Sequence, residues 1–149
     1  MWKVGGGSWS NIAESVPATA YQNEVVNPVT TNTTDNATTT YDAKIGLMYV
    51  SDYYYSASPS AWTLVGYNSD YTKSYASAKG ENWLYGGGWD WTISRISGDS
   101  DHAFDVNYIG NVYSNFVSRH NGVRPSFSLL SSTTYVSGSG SMSDPVRVN

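Results

Sequence analysis

Trp89-Asp90-Trp91-Thr92-Ile93-Ser94, followed a few residues later by Ala103-Phe104-Asp105-Val106, decides how this chain is read. Large apolar and short polar side chains alternate in the first stretch. That is the period of a β-strand, whose successive side chains point to opposite faces. Gly98-Asp99-Ser100-Asp101, between the two, has turn composition. Ala103–Val106 and Asn111-Val112-Tyr113 flank Tyr108-Ile109-Gly110, which predicts a hairpin. Outward from this pair, Asn82-Trp83-Leu84-Tyr85 reads as a short strand before three glycines at 86 to 88. Gly122-Val123-Arg124-Pro125-Ser126-Phe127-Ser128-Leu129 reads as another, with Pro near its start. Gly138-Ser139-Gly140 is a turn, and Asp144 to Val148 a last extended piece.

The N-terminal part is more mixed. Lys44-Ile45-Gly46-Leu47-Met48-Tyr49-Val50 is a short apolar run bounded by polar residues, read as a buried strand. Ser51-Asp52 resembles a helix cap or turn, and Tyr53 to Trp62 one or two helical turns stopped near Pro59. Tyr67, Tyr71 and Tyr75 fall on one helical face. A short helix is expected within Ile12 to Gln22, capped by Asn11 and broken at Pro17. Residues 28 to 40 are Thr- and Asn-rich and read as an exposed loop, with glycosylation sequons at Asn32 and Asn36. The fold class expected is α+β: a small twisted antiparallel sheet with one or two short helices and long loops. A single domain spans 1–149, with 1–43 the N-terminal part and 44–149 the core. The expected core is Trp83, Leu84, Trp91, Ile93, Phe104, Val106, Val123 and Phe127.

Composition removes several function classes. With no cysteine there are no disulfides, no thiolate metal sites and no cysteine nucleophile. The formal net charge is -4 and no Lys/Arg run exists to neutralise phosphates, so nucleic acid is not an expected partner. No apolar stretch reaches the length of a membrane span, so the domain itself is not expected to contact a membrane. Charged residues are only 13% of the chain, while aromatics are 15%, with 13 Tyr and 6 Trp against 3 Phe. Tyr with Ser, Asn and Gly is the composition of binding loops. It is equally that of a β-rich exported domain solubilised by hydroxyls and amides, so it decides nothing alone.

The ordered set Asn82-Trp83-Leu84, Trp91-Thr92-Ile93-Ser94, Ala103-Phe104-Asp105-Val106, Gly110-Asn111-Val112 and Gly122-Val123-Arg124-Pro125 resembles a known group of bacterial domains. These domains belong to the formylglycine-generating-enzyme branch of the C-type lectin fold, which includes variable proteins diversified by retroelements. The block from Lys44 to Tyr53 is similar to one in the C-terminal domain of large pilin-like surface proteins of gut Gram-positive bacteria. The resemblance covers roughly residues 40 to 149. It implies a C-type-lectin-like fold, a fixed scaffold with a freely varied patch, and an extracellular or cell-surface location. It also implies an export signal or pilin-like anchor upstream of this chain. The cysteine chemistry of the branch's enzymes does not carry over to a chain without cysteine.

No catalytic residues are assigned, and no cofactor or metal. His102 beside Asp101 and Asp99 reads as a solvated turn, since two acids and one His do not fix a coordination geometry. Asp52, Asp90 and Asp105 stand without a recognisable acid-base partner in the sequence. The candidate ligand-binding residues are Asn107, Tyr108, Asn111, Tyr113, Asn115, Phe116, Arg119 and His120, between scaffold valines at 106, 112 and 117. Aromatics, amides and charges without an amphipathic period suit a surface that meets a partner. In the variable proteins that this chain resembles, substitutions concentrate just before the Gly-Val-Arg-Pro motif. Trp83, Trp91, Phe104 and Arg124 are expected to be structural, Arg124 through bonds to backbone carbonyls or a carboxylate. The reading is a monomeric, adhesin-like binding domain for an unknown protein or glycan. A fibre subunit and a divergent enzyme are the competing classes.

Overall fold

The computed structural model describes residues 2–3, 6–7, 17–28, 40–67, 78–141 and 143–149. Along the chain these form β1 (Trp2–Lys3), β2 (Gly6–Gly7), a helix Pro17–Tyr21 continued by a π-type turn Gln22–Val26, β3 (Thr40–Tyr41) and β4 (Gly46–Leu47). A helix Val50–Tyr55, a 3-10 turn Pro59–Ala61 and two single helical turns, Trp62–Val65 and Ala78–Glu81, follow. The remainder is extended: β5 (Asp90–Ile96), β6 (His102–Val106), β7 (Val112–Phe116), β8 (Pro125–Ser126), β9 (Tyr135–Ser137) and β10 (Arg147–Val148).

The architecture is mixed helix and strand, with short helices around small sheets. The main sheet has the order β2-β5-β6-β7. β5, β6 and β7 are antiparallel neighbours, whereas β2 joins β5 in parallel, so the sheet is not wholly antiparallel. More helical segments exist than the expected one or two, several of them single turns. Pro59 illustrates this: it opens the 3-10 turn instead of stopping a helix, as its fixed φ allows at a first helical position.

The hairpin at the centre forms as the sequence suggests. Register runs from His102 opposite Phe116 to Val106 opposite Val112. Its turn is built by two asparagines. Asn107 Oδ1 accepts from Ile109 N at 3.0 Å and Asn111 N at 3.3 Å, and Asn111 Nδ2 donates to Val112 O at 3.0 Å. Gly110 sits at φ +89°, where other residues are strained, and a Cβ there would come within 3.0 Å of the Ala78 backbone.

The strand Asp90–Ile96 alternates as read, but with its faces inverted. Asp90, Thr92, Ser94 and Ile96 are buried, while Trp91, Ile93 and Arg95 are half-buried. The polar residues are tolerated inside because each finds a partner. Thr92 Oγ1 donates to Phe104 O at 2.7 Å, and Ser94 meets the carboxylate of Glu24. Trp91 is therefore a sheet-covering side chain and not a core one.

Glu24 is the buried junction of the fold. It is fully inaccessible, and its carboxylate accepts from Val50 N and Ser51 N, both at 3.1 Å. The charge thus receives the free N–H groups that open the helix Val50–Tyr55, groups with no acceptor inside the helix. Burial pushes its pKa up, against the hydrogen bonds from Ser51 and Ser94.

The core holds Ala20, Met48, Val50, Tyr53, Tyr54, Val65, Ile96, Phe104, Val106 and Val112. Phe104 and Val106 are where they were expected; Leu84 packs half-buried against the edge. Trp83, Val123 and Phe127 are corrections, at 78%, 64% and 66% exposure. Trp83 lies in a turn closed by Tyr85 N to Asn82 O, not in a strand. The expected strand over 122–129 forms only as the two residues Pro125–Ser126, with an isolated bridge from Gly122 to Asp90, because its partner β4 is itself two residues long. The run from Lys44 to Val50 likewise gives that short strand rather than a buried one: Ile45 is exposed and Val50 already begins the helix. Tyr71, Tyr75, most of the Thr/Asn-rich stretch and residues 11–16 lie outside the described residues.

Candidate functional site

The site grows from the open end of the β6–β7 hairpin. Strand alternation sets Tyr113 and Asn115 on one face, and Val112, Ser114 and Phe116 on the other. Asp105 lies directly opposite Tyr113 in the register and shares its face. From there Asp105, fully buried, accepts from Asn115 Nδ2 at 2.7 Å and from Asn121 Nδ2 at 2.6 Å, both on Oδ2. Its Oδ1 has no donor among the described residues. Burial raises the Asp105 pKa to about 6, opposed by the two asparagine amides.

Asn121 reaches this point because the segment around Gly122 runs beside the start of β5. Gly122 N donates to Trp89 O at 2.6 Å and Trp91 N donates to Gly122 O at 2.9 Å. Only glycine fits there, since a Cβ at Gly122 would meet Asp90 Oδ1 at 2.4 Å. Arg124, just beyond, donates from its guanidinium to Leu84 O at 2.7 Å, and its Nε lies 3.3 Å from Asp90 Oδ2. Arg124 thus ties the 122–126 segment to the 82–90 loop.

Trp89, Asn115, Arg119, His120 and Asn121 line a cleft of about 420 Å³. Both asparagines are oriented by Asp105. An ionised carboxylate only accepts, so it draws the amide N–H₂ ends inward and leaves the carbonyl ends pointing elsewhere. Arg119 and His120 are exposed, and their side chains have no hydrogen-bond or ion-pair partner among the described residues. An aromatic chain runs from the cleft toward the core. Trp89 meets Tyr108 at 5.7 Å and Tyr113 at 6.0 Å; Tyr113 stacks on Tyr67 at 6.1 Å, and Tyr67 meets Phe104 edge-on at 5.9 Å.

The candidate ligand residues therefore separate into three groups. Asn115, Arg119 and His120 share the cleft, with Tyr108 beside it and 49% exposed. Tyr113 is half-buried between Tyr67 and Trp89, part support and part rim. Phe116 projects from the opposite face, where its ring meets His102 at 4.0 Å, tilted by 40°. Asn107 and Asn111 are corrections: both are only 1% exposed, because their amides are spent building the hairpin turn, and they cannot touch a ligand. Trp89, Asn121 and Asp105 were not among the candidates. The only sequence signal for Trp89 was its place at the head of the alternating strand; Asn121 and Asp105 come together only in three dimensions.

Two other features compete with this cleft. A larger one, about 630 Å³, is lined by residues including Met48, Trp83, Leu84 and Val123. Three of its polar side chains are already engaged: Asp52 accepts from Tyr49 N, Ser56 donates to Tyr53 O, and Arg124 holds Leu84 O. The second is the turn where His102 Nδ1 lies 3.0 Å from Asp99 Oδ2 and 2.9 Å from Asp101 Oδ1. Exposed acidic turns of this kind are common without an ion. Partial burial works against charge on His102, but the two carboxylates outweigh it and raise its pKa. Of the three consecutive tyrosines 53 to 55, Tyr53 and Tyr54 are wholly buried and only Tyr55 is exposed.

Compared with protein-family models, with curated proteins and with solved structures, the chain matches nothing. Among the described residues, no helix is long and apolar enough to cross a membrane.

Proposed function

We propose that this chain is an extracellular, adhesin-like binding domain of C-type-lectin-like fold, and that its ligand sits in the cleft between Trp89, Asn115, Arg119, His120 and Asn121. One observation carries this reading. The cleft's two amides are fixed from behind by a buried carboxylate, while its two ionisable side chains, Arg119 and His120, have no partner among the described residues. Preorganised polar groups aimed into a concave, aromatic-walled space are the ordinary make-up of a ligand site. The exposed rim residue Tyr108 extends the same surface, and tyrosine anchors are frequent in binding hot spots.

The resemblance in the order of motifs supports the fold, the surface location and the placing of a variable patch ahead of Gly122-Val123-Arg124-Pro125. The low share of ionisable groups, and a cleft in which the described residues offer no nucleophile or acid-base pair, favour binding over catalysis. The test uses mixed arrays of glycans and extracellular proteins, probed with the wild-type domain and with Trp89→Ala, Arg119→Gln and Trp83→Ala variants. The expected result is a ligand retained by Trp83→Ala and lost by the other two. A ligand that depends on Trp83 alone would move the site to the larger cleft, and the absence of any ligand on either array would sink the reading.

A further inference from the structure

Resting on the cleft reading above, we infer that the ligand held there is a carboxylate-bearing sugar residue, such as a uronic acid unit of a glycan. The walls offer far more donors than acceptors. Arg119 brings a guanidinium whose five N–H groups are unspent, and each of Asn115 and Asn121 has a second N–H beyond the one given to Asp105. Among the described residues no carboxylate lines the cleft. The carboxylate of Asp105 is buried behind the two amides, which meet it on Oδ2. An anionic ligand is therefore favoured, and the planar guanidinium fork matches a carboxylate in particular.

Three further features point to a sugar. The amide carbonyls of Asn115 and Asn121, turned away from Asp105, need donors set beside the ligand's carboxylate. Vicinal hydroxyls donate and accept at once, so they answer both ends of an amide. The indole of Trp89 gives a flat apolar wall against which the C–H face of a pyranose ring can pack. The volume of about 420 Å³ takes a ring of that size with its substituents and would leave a lone phosphate or sulfate loose.

The test is a titration of the intact domain with tri-galacturonate and with its methyl ester, followed by calorimetry and by the Trp89 indole resonance. The acid should bind at least about tenfold more tightly than the ester, the scale of one charge-assisted contact. Arg119→Gln, at an exposed position where the fold is not at stake, should bring the acid down to the ester's affinity. Trp89→Ala should abolish both. Equal binding of acid and ester, or a ratio unchanged in Arg119→Gln, would overturn the inference while leaving a saccharide site in place. No binding of either sugar would also overturn it. The broader reading would then stand or fall on the array experiment, which includes protein ligands and reads the same variants.

Discussion

Replacing Asp105 by Asn should make the domain more stable at neutral pH and almost unchanged in acid. In the folded chain the Asp105 carboxyl has its pKa raised from 3.8 to about 6 by burial. That is a difference of about two units, or ~3 kcal/mol at 1.36 kcal/mol per unit. The folded state holds the proton more tightly than the unfolded chain does. The destabilising contribution is therefore absent below about pH 4 and complete above about pH 6, so stability falls as pH rises through that window. Between about pH 4.5 and pH 7.5 the loss from this group is ~2 kcal/mol. Asparagine stands in for the neutral carboxyl: its Oδ1 accepts from one of Asn115 and Asn121, and its own N–H₂ can donate to the other once that amide turns. Glu24, Asp52 and His102 also have raised pKa values and push stability in the same direction, but they are present in both proteins and cancel in the difference. Urea unfolding in small pH steps measures both curves. They should converge below about pH 4 and separate, variant above wild type, by ~1 kcal/mol at pH 4.5 and ~3 kcal/mol at pH 7.5. Parallel curves would show that Asp105 does not titrate as a buried group, and the account of how the two cleft amides are fixed would fail with it.

Other expected outcomes follow from the same contacts. Glu24→Ala should cost roughly 3 kcal/mol or more in denaturant unfolding, since it strands the Val50 and Ser51 N–H groups in the interior. Phe104→Ala should cost about 3–5 kcal/mol as a core cavity, whereas Tyr108→Ala should stay within about 0.5 kcal/mol in thermal melts. Tyr113→Ala should fall between them, at about 1–2 kcal/mol, because it removes two ring contacts from a half-buried site. Gly110→Ala should lower the melting temperature clearly, by forcing a side chain into a left-handed turn and against the Ala78 backbone.

The sequence showed the antiparallel hairpin and its strands because local alternation and turn residues carry them. Phe104 and Val106 were legible for the same reason. The inversion of β5 was not, since alternation gives two faces without saying which one is covered. What decides it is Glu24, some seventy residues away in sequence, whose carboxylate makes the Ser94 side the inner one. The exposure of Val123 and Phe127 was hidden similarly: an apolar run looks buried until its pairing partner proves to be two residues long. For the site, the stretch ahead of Gly122 pointed to Asn115, Arg119 and His120 by residue type. Type alone could not separate them from Asn107 and Asn111, the same amide turned inward to close a hairpin. Trp89 and Asn121 joined them through the β5–Gly122 contact, which no local pattern announces.

The central claim is that ligand binding occurs at the Trp89–Asn121 cleft and not at the larger apolar one. Amide and indole NMR shifts, recorded while the domain is titrated with a ligand from the arrays or with tri-galacturonate, locate binding directly. The account predicts that the largest changes fall on the Trp89 indole and on residues 115 to 121, with Tyr108 at the margin. Changes centred instead on Met48, Trp83, Leu84 and Val123 would contradict it.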